Sequence, residues 1–152
     1  MAMKNRDNYI KLEFSSLPEN VALARVLIAS LVVQVDTTIT DLEEVKVAVS
    51  EAVSNAIIHG YQNEPNNIVN IEAKIVAGEL EIVVEDSGIG IEDVEKAMTP
   101  TFSTHPDRMG LGFVFMKSFM DNVEVLSEIG KGTKVVLQKK LVNDGSCARV
   151  AT

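Results

Sequence analysis

The chain has 152 residues, 46% of them hydrophobic and 24% charged, with a formal net charge of -8. This is the size and composition of one globular domain able to bury a core. The negative balance repels phosphate backbones and anionic lipid, so direct nucleic-acid or membrane binding is not expected, and a bound nucleotide would need local backbone N–H groups, a cation and a few basic side chains. The single Cys147 cannot form an internal disulfide, which suits a reducing, cytoplasmic setting. Met1 to Asn20 carries no apolar segment of the signal-peptide kind. The longest apolar run, Val26 to Val33, is broken by Ser30 and too short to cross a bilayer.

In chain order, Tyr9 to Phe14 alternates and predicts a half-buried strand. Pro18 opens a helix to about Gln34, with Val21, Ala24, Leu27, Ile28 and Leu31 on one face. Thr40 is expected to cap a second helix, because Glu43 follows at capping-box spacing, and Gly60 stops that helix after His59. Asn63 to Asn67 is turn-rich. Ile68 to Val76 and Glu79 to Glu85 then predict a hairpin around Ala77–Gly78. A glycine-rich loop at Asp86 to Gly90 leads to a short acidic helix near Glu92 to Met98 and an irregular stretch to about Met109. Gly110 to Met120 reads as a helix, and Val123 to Ser127 and Thr133 to Leu141 as strands around Gly130–Lys131–Gly132. The order predicts an α+β fold, a two-layer sandwich with helices on one face of a mixed, mostly antiparallel sheet. Residues 1–142 are expected to form a single domain and residues 143–152 a flexible tail.

Three common site signatures fail. A Walker loop requires a glycine where Val125 precedes Gly130–Lys131. The dinucleotide fingerprint meets Asp93 after Gly88-x-Gly90 and Phe115 after Gly110-x-Gly112. Two histidines and one cysteine are too few for a structural zinc site.

Four separated signals remain. Glu51, Asn55 and His59 are spaced by four, on one stripe of the second helix beside an apolar face. Val84-Glu-Asp-Ser-Gly-Ile-Gly90 ends a strand in a carboxylate and two glycines. Asp86 could there accept a hydrogen bond from an exocyclic amine such as adenine's, while Gly88 and Gly90 let the backbone approach. Within Thr101 to Phe113, Gly110 and Gly112 open a helix whose free N–H groups could face phosphate oxygens, with Arg108 adding a cation and the preceding residues forming a lid. Gly130-Lys-Gly-Thr133 sits between two strands, where Thr133 could reach a base or a water beside Asp86. Taken singly, these are equally a solvated helix face, an Asp-containing turn, a surface loop and a hairpin turn.

In this order and together, from about Leu12 to Leu141, the four signals resemble the GHKL ATP-binding superfamily. Ser50-Glu-Ala-Val-Ser-Asn-Ala-Ile-Ile-His-Gly-Tyr61 and Phe119-Met-Asp121 are further similar to the anti-sigma F factors of spore-forming bacteria. The stretch between Phe102 and Gly110 is about two residues shorter than expected for that subgroup. The resemblance implies a protein serine kinase using ATP, leaving ADP, with Mg2+ held by Asn55 and Glu51 as general base. Asp86, Gly88, Gly90, Thr104, Arg108, Gly110, Leu111, Gly112 and Thr133 would bind the nucleotide. It implies that the protein inhibits a sporulation sigma factor of the sigma-F type through the first helix, at Arg25, and phosphorylates an anti-anti-sigma partner. A homodimer is also implied, with Tyr9 to Phe14 as a candidate edge for pairing. A general stress-response anti-sigma kinase, or a non-catalytic sigma-binding module that needs ATP only for order, remain alternatives.

Overall fold

Period-two alternation in five segments produces one sheet. Its strands are β1 (Asn8–Ser15), β2 (Ile68–Val76), β3 (Glu79–Asp86), β4 (Asn122–Glu128) and β5 (Gly132–Lys140). The computed structural model describes residues 7–99 and 109–141. Spatial order is β1-β2-β3-β5-β4, and every described pairing is antiparallel, so the expected mixed sheet is purely antiparallel in this region. The helices are α1 (Asn20–Val32), α2 (Ile39–Asn55), α3 (Val94–Ala97) and α4 (Met109–Phe119). α2 packs against both α1 and α4.

Cross-strand register explains how the layers meet. Leu12, Ile71, Val84, Val135 and Val125 form one row across all five strands, and Ile10, Ala73, Ile82, Leu137 and Val123 form the next. Both rows face the helices and, with Ala24, Ile28, Leu31, Val45, Val49, Val53, Ile57, Phe113 and Met116, make a single core. The opposite face carries Lys11–Glu72, Lys74–Glu81 and Lys134–Glu85 pairs at 3.7, 4.0 and 3.3 Å. A sheet with one apolar and one charged face can pack helices on one side only.

Two local outcomes differ from the sequence expectation. α2 begins two residues earlier than the capping box implied, because Thr38, in extended conformation, accepts the Asp41 N–H at 3.0 Å. Asp41 then lies in the first turn, where a carboxylate suits the helix dipole. The same helix loses α geometry after Asn55 and ends in one π-helical turn, Ala56–Gly60, closed by the Tyr61 N–H to Ala56 carbonyl bond at 2.9 Å. The expected hairpin forms, with Ala77 and Gly78 at φ 50° and 78°. Residues 143–152, the expected tail bearing Cys147, lie outside the described residues.

Each end of the helix-facing surface is polar. At one end Lys139, only 8% exposed, reaches Glu44 at 2.9 Å and Asp41 at 3.7 Å in α2, and donates to the Phe119 carbonyl at the end of α4 at 2.5 Å. One ammonium thus ties two helices to β5, hydrogen-bonded to Glu44 and the Phe119 carbonyl and ion-paired with Asp41. Lys139→Ala is expected to lower unfolding free energy by about 2 kcal/mol in urea titration, because it strands a helix-end carbonyl and two acids. A loss below the noise of that titration would mean water replaces the ammonium fully.

Candidate functional site

At the other end of the sheet, the row after Val84 and Val135 is polar. Asp86 pairs with Thr133, and Thr133 pairs with Ser127, so a carboxylate and two hydroxyls stand side by side facing the helices. Asp86 and Thr133 of this row form part of the floor of a cleft of about 280 Å3 whose lining includes Asn55, His59, Gly60, Ile91 and Phe113. The lining is mostly apolar with a few polar groups, the usual constitution of a small-molecule site.

Asp86 sits at the convergence of three backbone segments. A methyl group on Gly60 would stand 2.6 Å from its Oδ1. One on Gly88 would lie 2.0 Å from the Gly60 carbonyl oxygen, and one on Gly132 2.0 Å from the Asp86 carbonyl oxygen. No side chain fits at those three points without displacing a neighbour, and at Gly132 the φ of 110° adds a conformational requirement for glycine. The segments are also bonded together: the Ile89 N–H donates to the Gly60 carbonyl at 3.0 Å, and the Gly130 N–H to the Ile89 carbonyl at 2.9 Å. Tyr61, buried, donates its hydroxyl proton to the Ile68 carbonyl and accepts the Ser87 N–H at 2.7 Å, pinning the turn that follows Asp86. The chain leaves the π turn through Gln62 and Asn63 at φ 52° and 63°, left-handed values that such sites often hold.

Electrostatics follow from that enclosure. Asp86 is 5% exposed, and burial pushes its carboxyl up to about 6, while the Gly88 and Thr133 backbone N–H groups pull it down and neighbouring Glu85 adds a small upward push. At neutral pH it is ionised, an acceptor aimed into an enclosed cleft.

The opposite wall comes from α2 and α4. Glu51 and Asn55 lie one turn apart, and a methyl on Gly112 would stand 2.9 Å from Glu51 Oε2 and 3.4 Å from Asn55 Nδ2. α4 therefore meets both polar side chains through a glycine. The Asn55 Nδ2 is buried without a hydrogen-bond partner. A buried amide with unspent capacity beside a carboxylate fits a ligand that brings its own oxygens and a hard cation. Among the described residues no cluster of three or more His, Cys, Asp or Glu is placed to hold a metal. A cation here would take the Asn55 Oδ1 together with ligand and water oxygens.

The structure thus brings Asn55, Asp86, Gly90 and Thr133 to one cleft, with Gly88 behind Asp86 and Glu51 and Gly112 at the α2–α4 seam. Gly110 faces elsewhere, its methyl position 2.8 Å from the Thr99 carbonyl oxygen, and Leu111 is half exposed; neither lines the cleft. Thr104 and Arg108 lie outside the described residues. Arg25 is remote from the cleft and extends Nη1 to within 3.4 Å of Ser50 Oγ in α2. Sequence reasoning treated Gly60 only as a helix stop and passed over Tyr61 as a site residue and over Ser127. Counting strand pairs outward from Gly130 matches residue 127 to residue 133, a signal that would have found Ser127.

Because the folded pKa of Asp86 lies above the ordinary 3.8, the neutral form is favoured by folding. That contribution is full below about pH 4, declines as pH rises to about 6 and is gone above it. Ionisation there costs on the order of 3 kcal/mol. Asp86→Asn should therefore melt above the parent at pH 7.5, with the margin shrinking as pH is lowered toward 5. A margin that widens on acidification would show that the ionised carboxylate is instead stabilised by folding.

Comparison with known proteins agrees with this architecture. The profile of the histidine kinase-like ATPase domain matches residues 14–139. An anti-sigma F factor from Clostridium beijerinckii is 51% identical over 136 residues, covering 88% of this chain and 95% of that protein. One from Geobacillus kaustophilus is 49% identical, covering 88% and 93%. A solved structure of RsbU and RsbW domains from Mycobacterium tuberculosis superposes with a TM-score of 0.64 at 14% identity, covering 88% of this chain and 32% of that one. The histidine kinase domain of a blue-light activated kinase from Erythrobacter litoralis gives 0.55 at 22%, covering 80% and 61%. At such identities these two speak to fold alone. With about half of its residues shared with the Clostridium beijerinckii and Geobacillus kaustophilus proteins over 88% of its length, the chain belongs to the anti-sigma F factor family, built on a histidine kinase-like ATPase domain.

Proposed function

We propose that this protein binds and inhibits a sigma-F type sporulation sigma factor and uses Mg2+ and ATP to phosphorylate a serine of an anti-anti-sigma protein in the cytoplasm. One observation carries the reading: a buried carboxylate walled by backbone at one end of the cleft, and a Glu–Asn pair one helical turn apart at the other. That is a site with a base-selecting end and a phosphate end.

The chain's own groups divide the work. Asp86, ionised above about pH 6, accepts from the exocyclic amine of adenine, and Gly88 and Gly90 admit the flat base against the main chain. Asn55 would hold the cation through its Oδ1, and that cation would supply charge to offset the phosphates. Gly112 lets the first turn of α4 approach closely, so that its free N–H groups face the phosphates. In this reading Gly110 and Leu111 would contribute through backbone N–H groups rather than side chains, and Thr104 and Arg108 would complete that end. Glu51 accepts the proton of the incoming serine hydroxyl as its oxygen bonds to the terminal phosphorus and the bond from that phosphorus to the ADP oxygen breaks.

A second surface would bind the sigma factor. α1 exposes Leu23 and Val26 at 47 and 59%, beside the half-buried Arg25, and Val33 at its C-cap is 58% exposed. A helix apolar on its outer as well as its inner side fits a partner. The edge strand β1 is the proposed element of a homodimer contact. No helix among the described residues is long and apolar enough to cross a membrane.

Labelled ATP incubated with the protein and an anti-anti-sigma candidate should yield phosphoserine on that partner. Glu51→Gln is expected to slow this transfer by about a thousandfold with ATP affinity within about twofold of the parent; retained turnover removes the general-base role. Asn55→Ala should weaken Mg2+-dependent ATP binding at least tenfold in calorimetry, about 1.4 kcal/mol, and an unchanged affinity defeats the metal role.

A further inference from the structure

Ser127, outside the nucleotide cleft, bonds to three groups around it. Its Oγ accepts the Ile91 N–H at 2.7 Å, lies 3.1 Å from the Gly132 carbonyl oxygen and 2.8 Å from Thr133 Oγ1. A serine hydroxyl has one proton and two lone pairs. A carbonyl oxygen can only accept, so the bond to Gly132 uses the single proton. The Ile91 N–H takes one lone pair, and the other is left for Thr133. Thr133 must then be the donor in the hydroxyl pair. With its own proton directed at Ser127, Thr133 Oγ1 offers the cleft acceptor capacity only.

We propose that Ser127 is a positioning residue that sets the hydrogen-bond polarity of Thr133, so that the floor of the cleft presents two adjacent acceptors, the Asp86 carboxylate and the Thr133 hydroxyl, to an amine-bearing base. The proposal rests on the nucleotide reading above and deepens it. Asp86 and Thr133 are cross-strand partners with side chains on one face, and both line the cleft. The exocyclic amine of adenine has two protons and so suits two acceptors, directly or through one water. A purine with a carbonyl in that position brings an acceptor against both and is rejected, by repulsion as well as by lost bonds. Ser127 also anchors Ile91 in the loop after Gly90, so a loop-holding role and a polarity-setting role need separate readouts.

Base discrimination separates them. Dissociation constants for ATP and inosine triphosphate, which differ at the six-position of the purine, are measured with Mg2+ for the full chain and its variants. The wild-type protein should prefer ATP by about a hundredfold, and Ser127→Ala should narrow that ratio about tenfold. Ser127→Thr, which keeps the hydroxyl, should restore it. Thr133→Val should narrow the ratio to the same extent, and adding Ser127→Ala to it should narrow it no further, since the serine acts through the threonine. Equal weakening of both nucleotides by Ser127→Ala would assign Ser127 to loop-holding alone and overturn the proposal. If Ser127→Ala does not fold, Thr133→Val decides: an unchanged ratio overturns it as well. A wild-type protein that binds neither nucleotide would sink the nucleotide reading itself, and this inference with it; binding without discrimination would sink only the inference.

Discussion

The structure is organised around the need to bury a carboxylate with main chain on several sides. Asp86 at the end of β3 touches the π turn through Gly60, and the carbonyl of each of those residues lies where another glycine cannot carry a side chain. Such an arrangement leaves no room for adjustment by rotamer change, so the backbone itself must be held. The Ile89–Gly60 and Gly130–Ile89 bonds, the Tyr61 hydroxyl and the antiparallel register of β3 with β5 all serve that end. Desolvation makes the ionised group costly, and the cost keeps it a strong acceptor facing the one direction left open.

The register makes the sheet polar at both ends and apolar between. Two full rows of aliphatic side chains separate Lys139 from the Asp86–Thr133–Ser127 row. The lysine satisfies the Phe119 carbonyl and the acids of α2 at its side of the core, while Asp86 and Thr133 of the other polar row open onto the cleft. α2 spans the distance between them. Its first turn meets Lys139, and its last turns supply Glu51, Asn55 and the π turn. Structural and functional polarity are thus carried by one helix, kept apart by the core.

What could be read in the sequence was whatever local periodicity determines. The strands, the Ala77–Gly78 hairpin, the Glu51–Asn55 stripe and the carboxylate–glycine loop at Asp86 are all short-range patterns, and each forms as expected. The helix cap was misplaced because Thr38 and Thr40 both have suitable residues three positions on; choosing between them depends on where the loop from α1 delivers the chain. The π turn has no periodic signature, since one extra residue in a helix is imposed by the contact between Gly60 and Asp86, remote in sequence. The roles of Lys139 and Tyr61, and the tie from Ser127 to Ile91, were hidden for the same reason. Their roles lie in partners that only tertiary contact supplies, 95, 26 and 36 residues away.

Where three walls of a recess are peptide units, mutation has few handles there. A side chain at Gly88 or Gly132 would displace main chain and one at Gly60 the Asp86 carboxylate, so change at that floor is left to Asp86 and Thr133, with Ser127 behind it. The outward-facing side of the sheet, ringed by salt-bridged charges, is under no such restriction. The two faces of one sheet are thus open to substitution to very different degrees.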